Sequence, residues 1–91
     1  MATFYPDIEK IKTLTVQPEE GEMYLLNYLN NNLDNTFEVF FNPFLNGDRP
    51  DIIIMRKGHG IMIIEVKDWK FTIYTLRTYL KRKSKTLSTG Q

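Results

Sequence analysis

The first sustained pattern of apolar positions along the chain is helical. Leu26, Leu29 and Leu33 lie three or four residues apart, the separation that puts side chains on one face of an α-helix. Pro18 is tolerated in a first helical turn, and the acidic residues that follow it favour a helix N-terminus. The sequence therefore predicts a helix from residue 18 to about residue 33.

The next apolar segments have the shorter period of strands. Residues 36–41 place three apolar side chains on one face, which predicts a strand. Residues 51–57 and 61–67 are two β-rich runs joined by Gly58-His59-Gly60, a pattern typical of a hairpin. Both runs carry apolar residues at consecutive positions, so we expect these two strands to be covered on both faces.

The remaining segments have weaker patterns. Residues 1–17 show no sustained period and are predicted to be an extended or short-helical lead-in. Residues 71–80 are rich in Thr, Tyr and Ile, which favours a strand over a helix, and residues 86–91 form a polar tail. The domain is thus predicted to span residues 18–85, as an α/β fold in which an N-terminal helix packs on a mixed β-sheet of about four strands.

The hairpin brings charged side chains of two strands to its open end. With a loop at residues 58–60, Ile53 lies opposite Glu65, and Asp51 lies opposite Lys67. All odd-numbered residues of both strands then share one side of the sheet, with neighbouring Cβ atoms about 4.5–5.5 Å apart. A two-residue loop would separate these side chains, so the cluster requires a loop of odd length.

The carboxylates of Asp51 and Glu65 would repel each other at this separation unless a cation lay between them. Hard oxygen ligands, in a chain with no cysteine and one histidine, suit Mg²⁺ or Mn²⁺ rather than Zn²⁺. Such an ion lowers the pKa of a bound water and stabilises the charge that develops in phosphodiester hydrolysis. A neighbouring lysine, Lys67, would reach the same water or phosphate. The residue types alone equally fit a solvated cross-strand salt bridge.

Glu22 lies one turn before the leucine stripe, on the face of the predicted helix that points toward the core. A carboxylate there needs a partner, which would be a cation, a metal ion or hydrogen-bond donors. The simpler alternative is an exposed residue of the first turn that interacts with the helix dipole. Position alone favours this simpler alternative.

Composition excludes several classes of protein. The chain has 91 residues, of which 42% are hydrophobic and 25% charged, as in an ordinary globular domain. The absence of cysteine excludes disulfide scaffolds, zinc–thiolate sites and thiol nucleophiles. No apolar run is long enough for a transmembrane helix, and the N-terminus lacks the features of a signal peptide, so we expect a soluble, cytoplasmic protein.

Charge is distributed unevenly between the two halves. Residues 1–50 carry eight acids and three bases, a net charge of −5, whereas residues 51–91 carry three acids and nine bases, a net charge of +6. Such asymmetry is typical of a basic surface that faces a polyanion, and equally of two halves that attract each other. The candidates for contacting nucleic-acid phosphates are Lys70, Arg77, Lys81, Arg82 and Lys83. An ordinary solvated surface is the alternative.

Three segments together resemble the nuclease-related domain (NERD) family, within the PD-(D/E)XK nuclease superfamily. They are Gly21-Glu22 at the start of the leucine-rich helix, Asp51 followed by three isoleucines, and the EVKDW segment of residues 65–69. Pro50 also matches the optional proline of the superfamily motif. The resemblance covers residues 19–70 and is most specific through the EVKDW segment.

The resemblance implies a metal-dependent nuclease with a restriction-endonuclease-like core. Asp51 and Glu65 would be metal ligands and catalytic residues, Lys67 the catalytic lysine, and Glu22 the helix acid that completes the metal site. Mg²⁺ or Mn²⁺ would be the cofactor and DNA the substrate. A non-catalytic nucleic-acid-binding or interaction module on the same fold is the alternative function.

The family's domain continues past Gln91 with a further helix, which carries a glutamine, and a closing strand. We therefore expect this chain to be truncated at its C-terminus and to be the first part of a longer DNA-processing protein. A piece with no activity of its own until its missing part is present is a third alternative. Without those elements its apolar sheet would be exposed and would favour self-association or a homodimer. Trp69 is expected to close the core rather than to stack on a base, and His59 to be an exposed turn residue.

Overall fold

The computed structural model describes residues 2–45 and 47–89, and only the backbone from residue 83 onward. Its elements are β1 (Thr3–Tyr5), α1 (Ile8–Ile11), α2 (Glu20–Asn32), β2 (Phe37–Phe41), β3 (Ile52–Arg56), β4 (Gly60–Lys67), β5 (Lys70–Thr75) and α3 (Leu76–Thr89). The described strands form one sheet in the order β1-β2-β3-β4-β5. β1 is parallel to β2, and the other neighbours are antiparallel. The α/β class and the mixed sheet are as predicted, but the sheet has five strands rather than four.

The predicted lead-in is part of the sheet. Phe4 of β1 is buried between exposed Thr3 and Tyr5, and it pairs with Val39 of β2. Parallel strands need a crossover connection, which here contains α1 and α2. The strand was not predicted because three residues are too few for alternation to be distinguished from chance.

α2 covers one face of the sheet. Its buried Leu26 and Leu29 belong to a core that includes Ile52 of β3 and Ile64 of β4. Each such side chain contributes about 1.5–3 kcal/mol when it leaves water, which is why the leucine stripe determines how the helix docks. The helix predicted over residues 18–33 is confirmed with slightly narrower bounds.

α3 covers the opposite face of the sheet. Tyr79 is almost completely buried there and packs with Ile53 of β3 and Ile63 of β4. The central residues of the two hairpin strands are therefore covered on both faces, as their consecutive apolar residues predicted.

The prediction of a strand over residues 71–80 is correct only as far as Thr75. The hydroxyl of Thr75 accepts a hydrogen bond from the N–H of Thr78 at 3.2 Å, and a hydroxyl in this position caps the start of a helix. Leu76 then begins α3, which continues to Thr89, so the predicted start of the tail at residue 86 lies inside a helix.

The β3–β4 hairpin has the predicted odd-length loop, displaced by one residue along the chain. The loop comprises residues 57–59 rather than 58–60, and Ile53 pairs with Ile63 instead of Glu65. The pairing partner of each β3 residue is therefore shifted by two residues along β4. This shift leaves every side chain on its predicted face, because strand side chains repeat every second residue.

The displacement arises because Gly60 pairs with Arg56 as the first residue of β4 instead of belonging to the loop. At the other end of the hairpin, Lys67 pairs with Lys70 of β5. On the β3 side, Ile52 pairs with Ile64, so Asp51 is level with Glu65 and the predicted pairing of Asp51 with Lys67 is wrong.

Part of the sheet face beside α2 is uncovered. Met62 of β4 and Phe71 and Ile73 of β5 share that face and are exposed. This agrees with the expectation of exposed apolar sheet, and it coincides with the position of β5 at the edge of the sheet. In the described part of the chain, no helix combines the length and apolar character needed to span a membrane.

Candidate functional site

Asp51 is fixed at the open end of the hairpin by its own backbone and side chain. Its carbonyl oxygen accepts a hydrogen bond from the N–H of Asn42 at 2.7 Å. Its carboxylate oxygen Oδ2 accepts one from the N–H of Val66, also at 2.7 Å. Because Ile52 pairs with Ile64, the register brings Asp51 level with Glu65.

Gly21 lets the first turn of α2 approach the same end of the sheet. A Cβ atom at this position would overlap the carbonyl oxygen of Asp68 and crowd the side chain of Val66. Only glycine therefore allows α2 to pack this closely against the segment that follows Lys67. The next residue along α2 is Glu22, so this close contact brings a helix carboxylate to the end of β4.

The Glu22 carboxylate lies beside that of Asp51. Burial of Glu22 raises its pKa above the usual range, and the negative charge of Asp51 raises the pKa further. The two carboxyl groups are close enough for a hydrogen bond when one is protonated. The N–H of Glu19 opposes this shift by donating a 2.8 Å hydrogen bond to Glu22. Glu22 is half-buried rather than fully exposed, and it also caps the first turn of α2 through this hydrogen bond.

A tyrosine of α3 faces the same acids. The hydroxyl of Tyr79 donates a 2.6 Å hydrogen bond to Asp48. Burial, then this hydrogen bond and the charge of Asp48, raise the pKa of Tyr79 far above its ordinary value, and the charges of Glu65 and Asp51 add to the shift. One hydroxyl therefore lies within electrostatic range of three carboxylates.

Tyr79 and Asp48 were not among the predicted site residues. The signal that could have revealed Tyr79 is the helical spacing of Leu76, Tyr79 and Leu80, all of which pack on one face of α3. That spacing was obscured by the β-branched residues before it. No pattern marks Asp48, which lies in turn-forming sequence.

Lys67 ends β4 and is exposed to solvent. It lies two residues after Glu65, so both side chains extend from the same face of the strand. Within residues 2–45 and 47–82, whose side chains are described, Lys67 forms no ion pair.

Trp69 is not a core residue, contrary to the prediction. It lies with Asp68 in the two-residue turn between Lys67 and Lys70. Its side chain is 52% exposed and makes an edge-to-face contact with Tyr24. The turn lies beyond the end of the sheet, where neither apolar layer reaches. His59 is exposed in the hairpin loop, as predicted.

The predicted phosphate-contacting residues are exposed but dispersed. Lys70 lies next to Lys67 at the end of the sheet where Glu22, Asp51 and Glu65 lie, here called the acid end of the sheet. Arg77 is the second residue of α3, at the other end of β5. Lys81 lies one turn after Arg77 on the same helix face, and Arg82 lies over the ring of Tyr74 at 5.5 Å. The side chain of Lys83 lies outside the described residues.

The structure brings Glu22 and Asp51 together, and Glu65 is level with Asp51 across the hairpin. Among the described side chains, no three from acidic, histidine or cysteine residues are grouped closely enough to hold a metal ion. The two carboxylates that do meet offer hard oxygen ligands, which are the type that Mg²⁺ and Mn²⁺ prefer.

A protein-family model described as the nuclease-related domain (NERD) matches residues 17–89. The match contains all three segments that form the acid end of the sheet, from Gly21 to the EVKDW segment of residues 65–69. No curated protein and no solved structure matches the chain. The nuclease-related domain is of the PD-(D/E)XK nuclease kind. The chain belongs to the nuclease-related domain family.

Proposed function

We propose that this chain forms the acidic centre of a metal-dependent nuclease that hydrolyses DNA phosphodiester bonds. The observation that carries the proposal is the proximity of Glu22 and Asp51, which come from different parts of the chain. Their negative charges repel each other. Burial and a neighbouring carboxylate both disfavour the ionised form of Glu22. A bound cation would remove that penalty, so the arrangement favours cation binding.

The donors suit a hard divalent cation. Glu22, Asp51 and Glu65 would hold Mg²⁺ or Mn²⁺ through carboxylate oxygens. The hydrogen bond from Val66 to Asp51 keeps one of these carboxylates in a fixed orientation. When bound, the ion would lower the pKa of a water and stabilise charge on a phosphate oxygen.

Lys67 would supply a positive charge to the site in addition to that of the bound metal ion. Its ammonium group extends from the same strand face as the Glu65 carboxylate and has no ionic partner among the described side chains. It would contact the scissile phosphate or the attacking water, and hold or move a proton there. A lysine is suited to this role because its three donors rotate and its charge is compact.

The basic half of the chain would contact the DNA backbone. Lys70 extends the positive charge from Lys67 around the β4–β5 turn, and Arg77 and Lys81 form an exposed pair on α3. These contacts would add a salt-dependent, sequence-independent contribution to binding. The second partner we propose is another copy of the chain, docked on the exposed face formed by Met62, Phe71 and Ile73.

The experiment is cleavage of a labelled DNA by the whole chain with Mg²⁺ or Mn²⁺. Lys67→Ala should reduce the cleavage rate by about 10²–10⁴-fold, the usual contribution of a positioned proton-transfer group. Lys57→Ala is the matched control, because Lys57 is an exposed lysine at the opposite end of the same hairpin, and it should leave the rate unchanged. DNA binding without any cleavage would point instead to a non-catalytic nucleic-acid-binding or interaction module.

A further inference from the structure

Two aromatic rings are held in solvent beside the acid end of the sheet. The ring centroids of Tyr24 and Trp69 are 5.2 Å apart, with an angle of 65° between the ring planes. Their side chains are 54% and 52% exposed. Because an edge-to-face partner covers at most one face of a ring, each ring keeps a face available for stacking.

The backbone holds this pair in place independently of the rings themselves. Gly21 contacts the carbonyl oxygen of Asp68, so the first turn of α2 packs on the turn that carries Trp69. Tyr24 lies three residues after Gly21 and is therefore on the adjoining part of the same helix face. Asp68 adopts a positive φ of 55°, which fixes the direction in which the chain leaves β4. The rings thus form a preorganised surface rather than a chance contact.

Positive charge flanks the rings on both sides of the turn. Lys67 and Lys70 are paired neighbours in the sheet register and are both exposed. Neither forms an ion pair with any other described side chain. Aromatic faces bordered by cationic side chains are the elements with which proteins bind single-stranded nucleic acid, since bases stack on the rings while phosphates contact the cations.

We propose that Tyr24 and Trp69 stack on an unpaired base of single-stranded DNA, with Lys67 and Lys70 on the flanking phosphates. The inference rests on the proposed function and adds a substrate class to it. Bases within a duplex are already stacked on their neighbours and present only their edges, so intact duplex cannot use this surface. The preferred substrate is DNA that is single-stranded where it contacts the acid end of the sheet, such as a frayed duplex end, a flap or a free single strand.

Trp69 is the only tryptophan of the chain, so its fluorescence reports directly on stacking. The whole chain is titrated with a single-stranded oligonucleotide in the absence of divalent metal, where binding is observed without cleavage. The same titration is made with a duplex of equal length and with an abasic strand that has the same phosphates but no bases. We expect the single strand to quench Trp69, and the duplex and the abasic strand to leave the fluorescence unchanged.

Affinity for a labelled single strand is then compared between variants. Tyr24→Leu and Trp69→Leu should each weaken binding by about 5- to 150-fold, the range for loss of one stacked base. Tyr28→Leu is the matched control, because Tyr28 is a tyrosine of the same helix with the same 54% exposure and no ring contact with Trp69. It should leave the affinity unchanged. Thermal unfolding confirms that each variant is folded.

Equal quenching by the abasic strand or the duplex, no quenching by the single strand, or an equal loss of affinity in Tyr28→Leu would overturn the inference. The proposed function is tested separately by cleavage in the presence of metal. A chain that stacks single strands but never cleaves them would refute the proposed function alone. A chain that cleaves duplex without quenching of Trp69 would refute the stacking surface alone.

Discussion

The backbone N–H of Val66 donates a 2.7 Å hydrogen bond to the carboxylate of Asp51. Val66 lies between Glu65 and Lys67, so this bond ties the acid that precedes β3 to the strand segment that carries the other two polar groups. This hydrogen bond therefore has two effects: it stabilises the end of the hairpin, and it orients the carboxylate that we propose as a metal ligand.

Replacing Asp51 should separate these two contributions. Asp51→Ala removes the acceptor and leaves the partly buried N–H of Val66 unsatisfied, which costs about 1–3 kcal/mol of unfolding free energy. Asp51→Asn retains an acceptor oxygen and should cost less. Urea denaturation of the three chains measures the difference. Equal losses in both variants would show that the charge, rather than the hydrogen bond, stabilises the hairpin end.

Glu22 should make the stability of the metal-free chain depend on pH. Its pKa in the folded chain is raised above the ordinary 4.5, so the folded state binds this proton more tightly than the unfolded state. The contribution of Glu22 to the unfolding free energy is therefore fully present below about pH 4.5 and is lost as pH rises through the raised pKa. Denaturation across this range, with Glu22→Gln, measures the effect.

Glu22→Gln keeps an acceptor for the N–H of Glu19 and removes the titrating proton. This variant should be more stable than the parent chain at neutral pH and should lose this part of the pH dependence. Glu20→Gln, an exposed acid in the same helical turn, is the matched control and should behave as the parent does. Identical pH profiles for Glu22→Gln and the parent chain would contradict the proximity of the two carboxylates.

Gly21→Ala should destabilise the chain even though alanine favours helices over glycine by about 1 kcal/mol. The new Cβ would overlap the backbone oxygen of Asp68, so α2 must move away from the end of β4. Asn27→Ala, at an exposed position of the same helix, should be neutral or stabilising. A Gly21→Ala chain that is more stable than the parent in urea denaturation would show that the close approach is absent.

Tyr79→Phe should destabilise the chain by about 1.5–3 kcal/mol, because it removes a partly buried hydrogen bond to a charged acceptor. The parent should also lose stability as pH rises above about 10, because the raised pKa of Tyr79 opposes its ionisation in the folded state. Tyr28→Phe, at an exposed position, is the control. A Tyr79→Phe chain as stable as the parent would contradict the role of this bond.

The faces of the hairpin side chains could be predicted because their determinants are local. Glu65 and Lys67 lie on β4 and Asp51 directly precedes β3, so alternation and an odd loop suffice to assign their faces. The exact pairing was wrong by two residues because sequence alone does not show whether Gly60 belongs to the loop or to β4. That error moved partners along the strands without moving any side chain to the other face.

The contacts that depend on distant parts of the chain could not be predicted in the same way. Tyr79 reaches Asp48 only because α3 turns back across the sheet after β5, and the β-branched residues before it favoured a longer strand. Trp69 contacts Tyr24 because Gly21 brings α2 against its turn, a contact between segments far apart in sequence. The three-residue strand β1 is stabilised by pairing with β2 rather than by its own pattern.

Thermal unfolding of the whole chain during titration with Mg²⁺ or Mn²⁺ shows whether the acids of α2 and the hairpin form a cation site. If they do, the cation should raise the melting temperature of the parent chain and of Glu20→Gln, with about 2.7 kcal/mol of stabilisation at 100 times the dissociation constant. Asp51→Asn and Glu22→Gln should lose this response. A parent chain that responds to neither ion, or an Asp51→Asn chain that responds as the parent does, would show that these acids form no cation site.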